Sequence, residues 1–196
     1  MLENIREDIL IFRAKHSGQG FFKYIYYPDI RCVLILRFSR WCYLHHLKPI
    51  AHILVMLNDF FHGIWVGPRV EIGRGLSLGH PRGLVINPGT KIGKFCTIIH
   101  QVTIGGPNVV IGDFVEIGAG AKIISTKQRA VEIGAHSIIG AGAVVVKSTA
   151  PFSIMGGVPA KIIKKKNLEE WLVDRPYYRD HISIDEILYL NPQDLK

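Results

Sequence analysis

VTIGGPNVVIGDFVEIGAGAKIIS, residues 102–125, decides the fold. An aliphatic residue recurs here at Ile104, Ile111, Ile117 and Ile123, nearly every sixth position, and glycine follows the first three. The same beat runs upstream through Val66, Ile72, Leu78, Ile86, Ile92 and Ile98, and downstream through Ile133, Ile139 and Val145. A sustained period of six is the mark of a β-solenoid whose turns are short strands. One aliphatic residue per hexad points inward, three hexads close a triangular coil, and stacked coils bury an Ile/Val column that no single repeat buries alone. Small residues beside that column let the backbone turn the corners. Departures from six mark loops: two extra residues near 82–85, one near 107–110 and four near 127–131.

Outside the repeat, residues 1–63 read as helical. The stretches NIREDILIF and DIRCVLILRFSRWCYLHHL space their apolar residues by three and four, and Pro28 and Pro49 stand where helices start. Arg31, Arg37 and Arg40 interrupt the apolar surface of residues 29–47, which reads as a helix packed on the main domain or a neighbouring subunit rather than on a membrane. Residues 64–163 form the solenoid domain, and residues 164–196 a basic segment with one or two short helices and a polar tail. A solenoid needs a cap at each open end, and the two flanking segments are the candidates.

With 196 residues the chain holds one main core and a helical appendage. Apolar residues at 48% and charged residues at 20% exclude a disordered or fibrous class. Cys32, Cys42 and Cys96 are too few for a disulfide framework and point to a reducing compartment, the cytoplasm. MLENIREDIL, residues 1–10, has no apolar run of signal-peptide type, and the most apolar segment, residues 49–58, is half the ~20 residues a span needs. No transmembrane segment is expected. A net charge of +8 favours anionic partners such as phosphates, acidic glycans or an anionic membrane face. The basic residues are scattered and form no reader motif, so nucleic-acid binding is not expected.

Two histidines stand out in this apolar context. His80 lies two residues after Leu78 and His100 two residues after Ile98, with three hexads and a two-residue insertion between them. That spacing predicts equivalent places on successive coils, about 4.8 Å apart along the stack. A neutral imidazole there can take the proton of an alcohol as it attacks an acyl group. His80 is the candidate base; His100 is a candidate for positioning the hydroxyl, stabilising the oxyanion or acting as base itself. Gly105 and Gly106 offer backbone N–H groups for the tetrahedral oxyanion, with an ordinary corner turn as the alternative. Cys96 reads as a small core residue rather than a nucleophile. His136, three residues after Ile133, reads as a solvated turn residue.

Hexads of this type followed by GGVPAKII, residues 156–163, resemble the hexapeptide-repeat acyltransferases. The resemblance implies a mainly β fold, a left-handed parallel β-helix, with an N-terminal α-helical segment and short C-terminal helices, acting as a homotrimer. IGRGLSLGHPRGLVINPGTKIG (residues 72–93) and VTIGG (residues 102–106) most resemble serine acetyltransferases and the related capsular or colanic-acid O-acetyltransferases, and the likeness runs over residues 27–165. It implies acetyl-CoA as co-substrate, with no cofactor and no metal. It places His80 on the catalytic histidine and Gly106, Ala119 and Ala141 along the acetyl-CoA channel, with Lys161 and Lys164 near the anionic end of CoA. Lys161 and residues 164–166 read equally as a solvated charge run.

The departures bear on the acceptor. Trp65 stands where serine acetyltransferases have the aspartate that orients the histidine, Gly79 replaces the acid before the histidine, and the Arg-His loop after the glycine pair is shortened to PNVV. These are the groups expected to hold an amino acid, whereas His100 in TIIHQVTIGG resembles the glycan enzymes. The expectation is therefore a cytoplasmic O-acetyltransferase acting on a sugar or glycan acceptor, with peripheral contact at the inner membrane face. Serine O-acetyltransferase and a non-catalytic β-helix scaffold are the alternatives. A zinc enzyme of carbonic-anhydrase type is disfavoured because its H-x4-H pair is absent.

Overall fold

Three parallel sheets form the walls of a β-solenoid. The computed structural model describes residues 1–16, 26–175, 178, 182, 183 and 187. Its first coil consists of β1 (Ile64–Val66), β2 (Glu71–Ile72) and β3 (Ser77–Gly79). Above it lie β4 (Leu84–Ile86), β5 (Thr90–Ile92) and β6 (Thr97–Ile99), then β7 (Thr103–Gly105), β8 (Val109–Ile111) and β9 (Glu116–Ile117). The upper coils are β10 (Lys122–Ile124), β11 (Val131–Ile133) and β12 (Ile138–Ile139), and then β13 (Val144–Val145) and β14 (Ser153–Gly157). The hairpin strand β15 (Ala160–Lys165) runs antiparallel to β14 and ends the sheet order β3-β6-β9-β12-β14-β15.

The strand register reproduces the hexad reading. Val66, Ile86, Ile104, Ile123 and Val145 stack on one wall. Ile72, Ile92, Ile111 and Ile133 stack on the second, and Leu78, Ile98, Ile117, Ile139 and Met155 on the third. Nearly all these side chains are buried in one continuous core, with Ile72 packed partly buried at its edge. Each fully buried one contributes roughly 1.5–3 kcal/mol relative to exposure.

One corner carries an aromatic column. Phe95, Phe114, His136 and Phe152 stack face to face, with centroids 5.1, 4.9 and 4.7 Å apart and planes within 20°. All four have φ between 55 and 59°, a left-handed conformation costing a non-glycine residue about 1–2 kcal/mol, here offset by ring stacking. A short helix, Leu168–Val173, is capped by Asn167, whose Oδ1 accepts from the Glu170 N–H at 2.8 Å. It lays the buried Trp171 edge-on against Phe114 and His136. His136 is therefore a buried rung and not the solvated turn residue expected, and its Nε2 donates to the Ile187 carbonyl at 3.1 Å. Burial pushes its pKa down to about 4, so the ring is neutral. The expected polar tail and any second C-terminal helix fall mostly outside the described residues.

The N-terminal helices close the first coil. They are α1 (Leu2–Lys15), α2 (Pro28–Leu44) and α3 (Lys48–His62), and the two prolines lie in the first turns of α2 and α3 as expected. Cys32, Val33 and Leu36 of α2 join the solenoid core. Arg37 crosses the junction: it grips both carboxylate oxygens of the buried Asp8 at 2.8 and 3.0 Å and donates to the Ile72 and Gly73 carbonyls at 2.6 and 2.5 Å. The Leu76 N–H in turn donates to Asp8 at 2.8 Å, so one ion pair ties two helices to the first coil. The other face of α3 leaves Ile53, Met56, Phe60 and Phe61 exposed. No described helix is long and apolar enough to cross a membrane.

Candidate active site

The two-residue insertion after β3 shapes the site. Leu78 and Gly79 still pair with Ile98 and Ile99, but His80 then turns left-handed at φ 50°. Pro81 follows, and the Arg82 N–H donates back to the His80 carbonyl at 2.8 Å. The coil register resumes at Arg82, whose carbonyl accepts from the Gln101 N–H at 2.7 Å. Above it the His100 carbonyl accepts from Gly120 N–H at 2.9 Å, and the Ala119 carbonyl from Gly142 N–H at 2.8 Å. Arg82, His100, Ala119 and Ala141 thus form one corner column.

This corrects the expected equivalence of the two histidines. The strands that carry them stack, but the insertion begins at His80 itself and lifts it out of the column as an exposed bulge. His100 stays in the column, half-buried, and its Nδ1 is buried without a hydrogen-bond partner among the described residues.

A cavity of about 390 Å³ opens where α1 and α2 meet the edge of β3 and β6, and His80 lines it while His100 does not. Asp29, in the first turn of α2, and Lys15 and His16, at the end of α1, supply its other charged or titratable groups beside Asp8. Burial pushes the Asp29 carboxyl above its ordinary value; the charges of His80 and His16 and the neighbouring backbone of His80 act the other way. Lys15 Nζ donates to Ser77 Oγ at 2.8 Å and Thr97 Oγ1 at 3.2 Å, and burial pulls its pKa down against the attraction of Glu116 and Asp29. A broader groove of about 730 Å³ along β2, β5, β8 and β11 contains neither histidine.

The remaining sequence candidates are spread over the coil. Gly105 ends β7 and Gly106 turns the following corner, one strand away from the histidine corner, about 10 Å of extended chain. A Cβ on Gly106 would lie 2.2 Å from the Ser125 carbonyl oxygen, so close packing of coils alone demands glycine there. Lys161 and Lys164 lie on β15, and Lys164 Nζ is 3.5 Å from Glu170. Cys96 is buried, its thiol donates to the Gly112 carbonyl at 3.2 Å, and burial pushes its pKa up to about 12, which removes it as a nucleophile. Asp29, Lys15 and His16 carry no local signal in the sequence, since they belong to the start of α2 and the end of α1, at least 51 residues before His80.

No protein-family profile matches the chain. Its sequence is 36% identical over 146 residues to a serine acetyltransferase of Helicobacter pylori, spanning 71% of this chain and 83% of that one. It is 30% identical over 198 residues to that of Staphylococcus epidermidis, spanning 96% and 89%, and 33% identical over 144 residues to that of Mycobacterium tuberculosis, of which it spans 61%. Among solved structures, the serine acetyltransferase of Brucella abortus in complex with coenzyme A superposes with a TM-score of 0.75 at 29% identity, over 84% of this chain and 68% of that one. That of Neisseria gonorrhoeae gives 0.78 at 27% identity, over 89% and 70%.

Proposed function

Because the chain belongs to the serine acetyltransferase group of the hexapeptide-repeat β-helix acetyltransferases, we propose that it transfers acetyl from acetyl-CoA to the hydroxyl of L-serine, with His80 as general base. The observation that carries this reading is the place of His80: an imidazole on a bulge at the mouth of a cavity that also holds a carboxylate and an ammonium. A hydroxyl is a weak nucleophile at neutral pH, and a positioned base contributes roughly two to four powers of ten in rate. The neutral imidazole takes the hydroxyl proton as the serine oxygen bonds to the thioester carbonyl carbon. The tetrahedral intermediate then expels the CoA thiolate, which recovers the proton from the imidazolium. The products are O-acetylserine and CoA. Direct transfer is favoured over an acyl-enzyme because the nearby thiol, Cys96, is buried and protonated.

The relatives favour serine over the sugar acceptor expected from the sequence. A sugar stays the second reading on one observation: Gly79 stands where the resemblance implies an acid before the histidine, and Trp65, half exposed on β1, where it implies the aspartate that orients it. The test is thiol release from acetyl-CoA by the purified protein, with L-serine in one series and nucleotide-sugars and oligosaccharides in another. Release that depends on serine is the expected result; release that depends only on a sugar overturns serine as acceptor and keeps the acetyl transfer.

A further inference from the structure

The aspartate that the family resemblance pairs with the base is Trp65 in this chain, so the histidine needs another means of orientation. We infer that Asp29 is a positioning residue for His80: from the first turn of α2 its carboxylate holds the backbone of the His80 bulge and supplies the negative charge beside the imidazole. This inference rests on His80 being the base.

Three observations carry it. His80 is a non-glycine residue at φ 50°, a conformation costing about 1–2 kcal/mol that persists only where its surroundings hold it. Asp29 and His80 line the same cavity, and the charge and backbone of His80 draw the Asp29 carboxyl down against its burial. Finally, Asp29 sits on a fixed support. Pro28 sets the entry to α2, Val33 and Leu36 are buried in the solenoid core one and two turns on, and Arg37 clamps the helix to the first coil through Asp8. A carboxylate in the first helical turn is also favoured by the backbone N–H groups there.

The groups that face Asp29 are His80 from the loop after β3 and His16 and Lys15 from α1, all cationic or able to become so. As the acceptor proton reaches His80, the imidazolium that forms meets a carboxylate already in place. Asp29 thus replaces, from a different element, both the hold and the charge that Trp65 cannot supply.

The test uses the full chain and the variants Asp29→Asn and Asp29→Glu, read in two ways. In the first, the NMR resonance of the His80 amide is followed with pH. In the wild type it moves with Asp29 at a midpoint above the ordinary 3.8, and in Asp29→Asn that step vanishes. In the second, steady-state kinetics of Asp29→Asn show kcat lowered on the order of 10- to 100-fold with the KM for acetyl-CoA within about twofold, while Asp29→Glu recovers part of the loss. A silent His80 amide in the wild type overturns the inference whether or not the enzyme turns over. So does an Asp29→Asn enzyme with kcat within twofold of wild type. A titrating amide in a wild-type protein with no acetyl transfer instead overturns His80 as base and leaves the contact standing.

Discussion

Replacing His136 by phenylalanine should remove most of the acid sensitivity that the aromatic column builds into the fold. The ring lies between Phe114 and Phe152 with planes parallel to within 6°, and three neighbouring rungs of the column are phenylalanines at the same positive φ, so the substitution fits both space and backbone. Burial lowers the His136 pKa from 6.5 to about 4. Because the folded-state value lies below the unfolded one, the unfolded chain takes up a proton first as pH falls. The stability contribution is complete above about pH 6.5 and is lost progressively down to about pH 4. The linkage relation gives about 2 kcal/mol lost by pH 5 and roughly 3 kcal/mol by pH 4. At pH 8 the variant loses the bond from Nε2 to the Ile187 carbonyl, about 1 kcal/mol, but also loses a buried Nδ1 that has no partner among the described residues, so the two proteins should differ little. Urea unfolding of both proteins at pH 8, 6 and 5 reads the difference, in which all other titrating groups cancel. A gap opening toward low pH in favour of the variant is expected. Parallel loss of stability by both proteins would refute a buried neutral His136.

Two further substitutions probe the clamp and the glycine corner. Arg37→Ala leaves Asp8 buried without its counter-ion and the Ile72 and Gly73 carbonyls without their donor, and should cost about 3–5 kcal/mol in urea unfolding; a loss below 1 kcal/mol contradicts the clamp. Gly106→Ala forces a Cβ against the Ser125 carbonyl at φ 92° and should cost at least about 2 kcal/mol. If Gly106→Ala keeps full stability and loses only kcat, the corner is shaped for the reaction rather than for packing.

The core was partly legible because it is periodic: the register bears out each hexad position from Val66 to Val145, but the expectation of one inward residue per hexad falls short, since Val70, Leu76, Leu84, Val102, Val109, Val115 and Val131 are buried in the same core. The histidine bulge was half legible. The two extra residues were visible, but not that they begin at His80, because glycine, proline and histidine around residue 80 allow the corner on either side. His136 departs from the expectation because a histidine three residues past an inward isoleucine looks like a solvated turn, while its partners Trp171 and Ile187 lie far along the chain. Asp29 and Lys15 were invisible for the same reason. Their place beside His80 comes from helix packing, which the Arg37–Asp8 pair fixes and no local spacing encodes.

The measurement that bears most directly on the central claim is serine-dependent CoA release by wild-type protein and His80→Ala, with acetyl-CoA binding and thermal unfolding measured on both. Loss of at least about two powers of ten in kcat, with acetyl-CoA affinity and unfolding temperature unchanged, is the expected result. Release by His80→Ala within a few-fold of wild type contradicts the claim and moves the base to another group, with His100 the first to test.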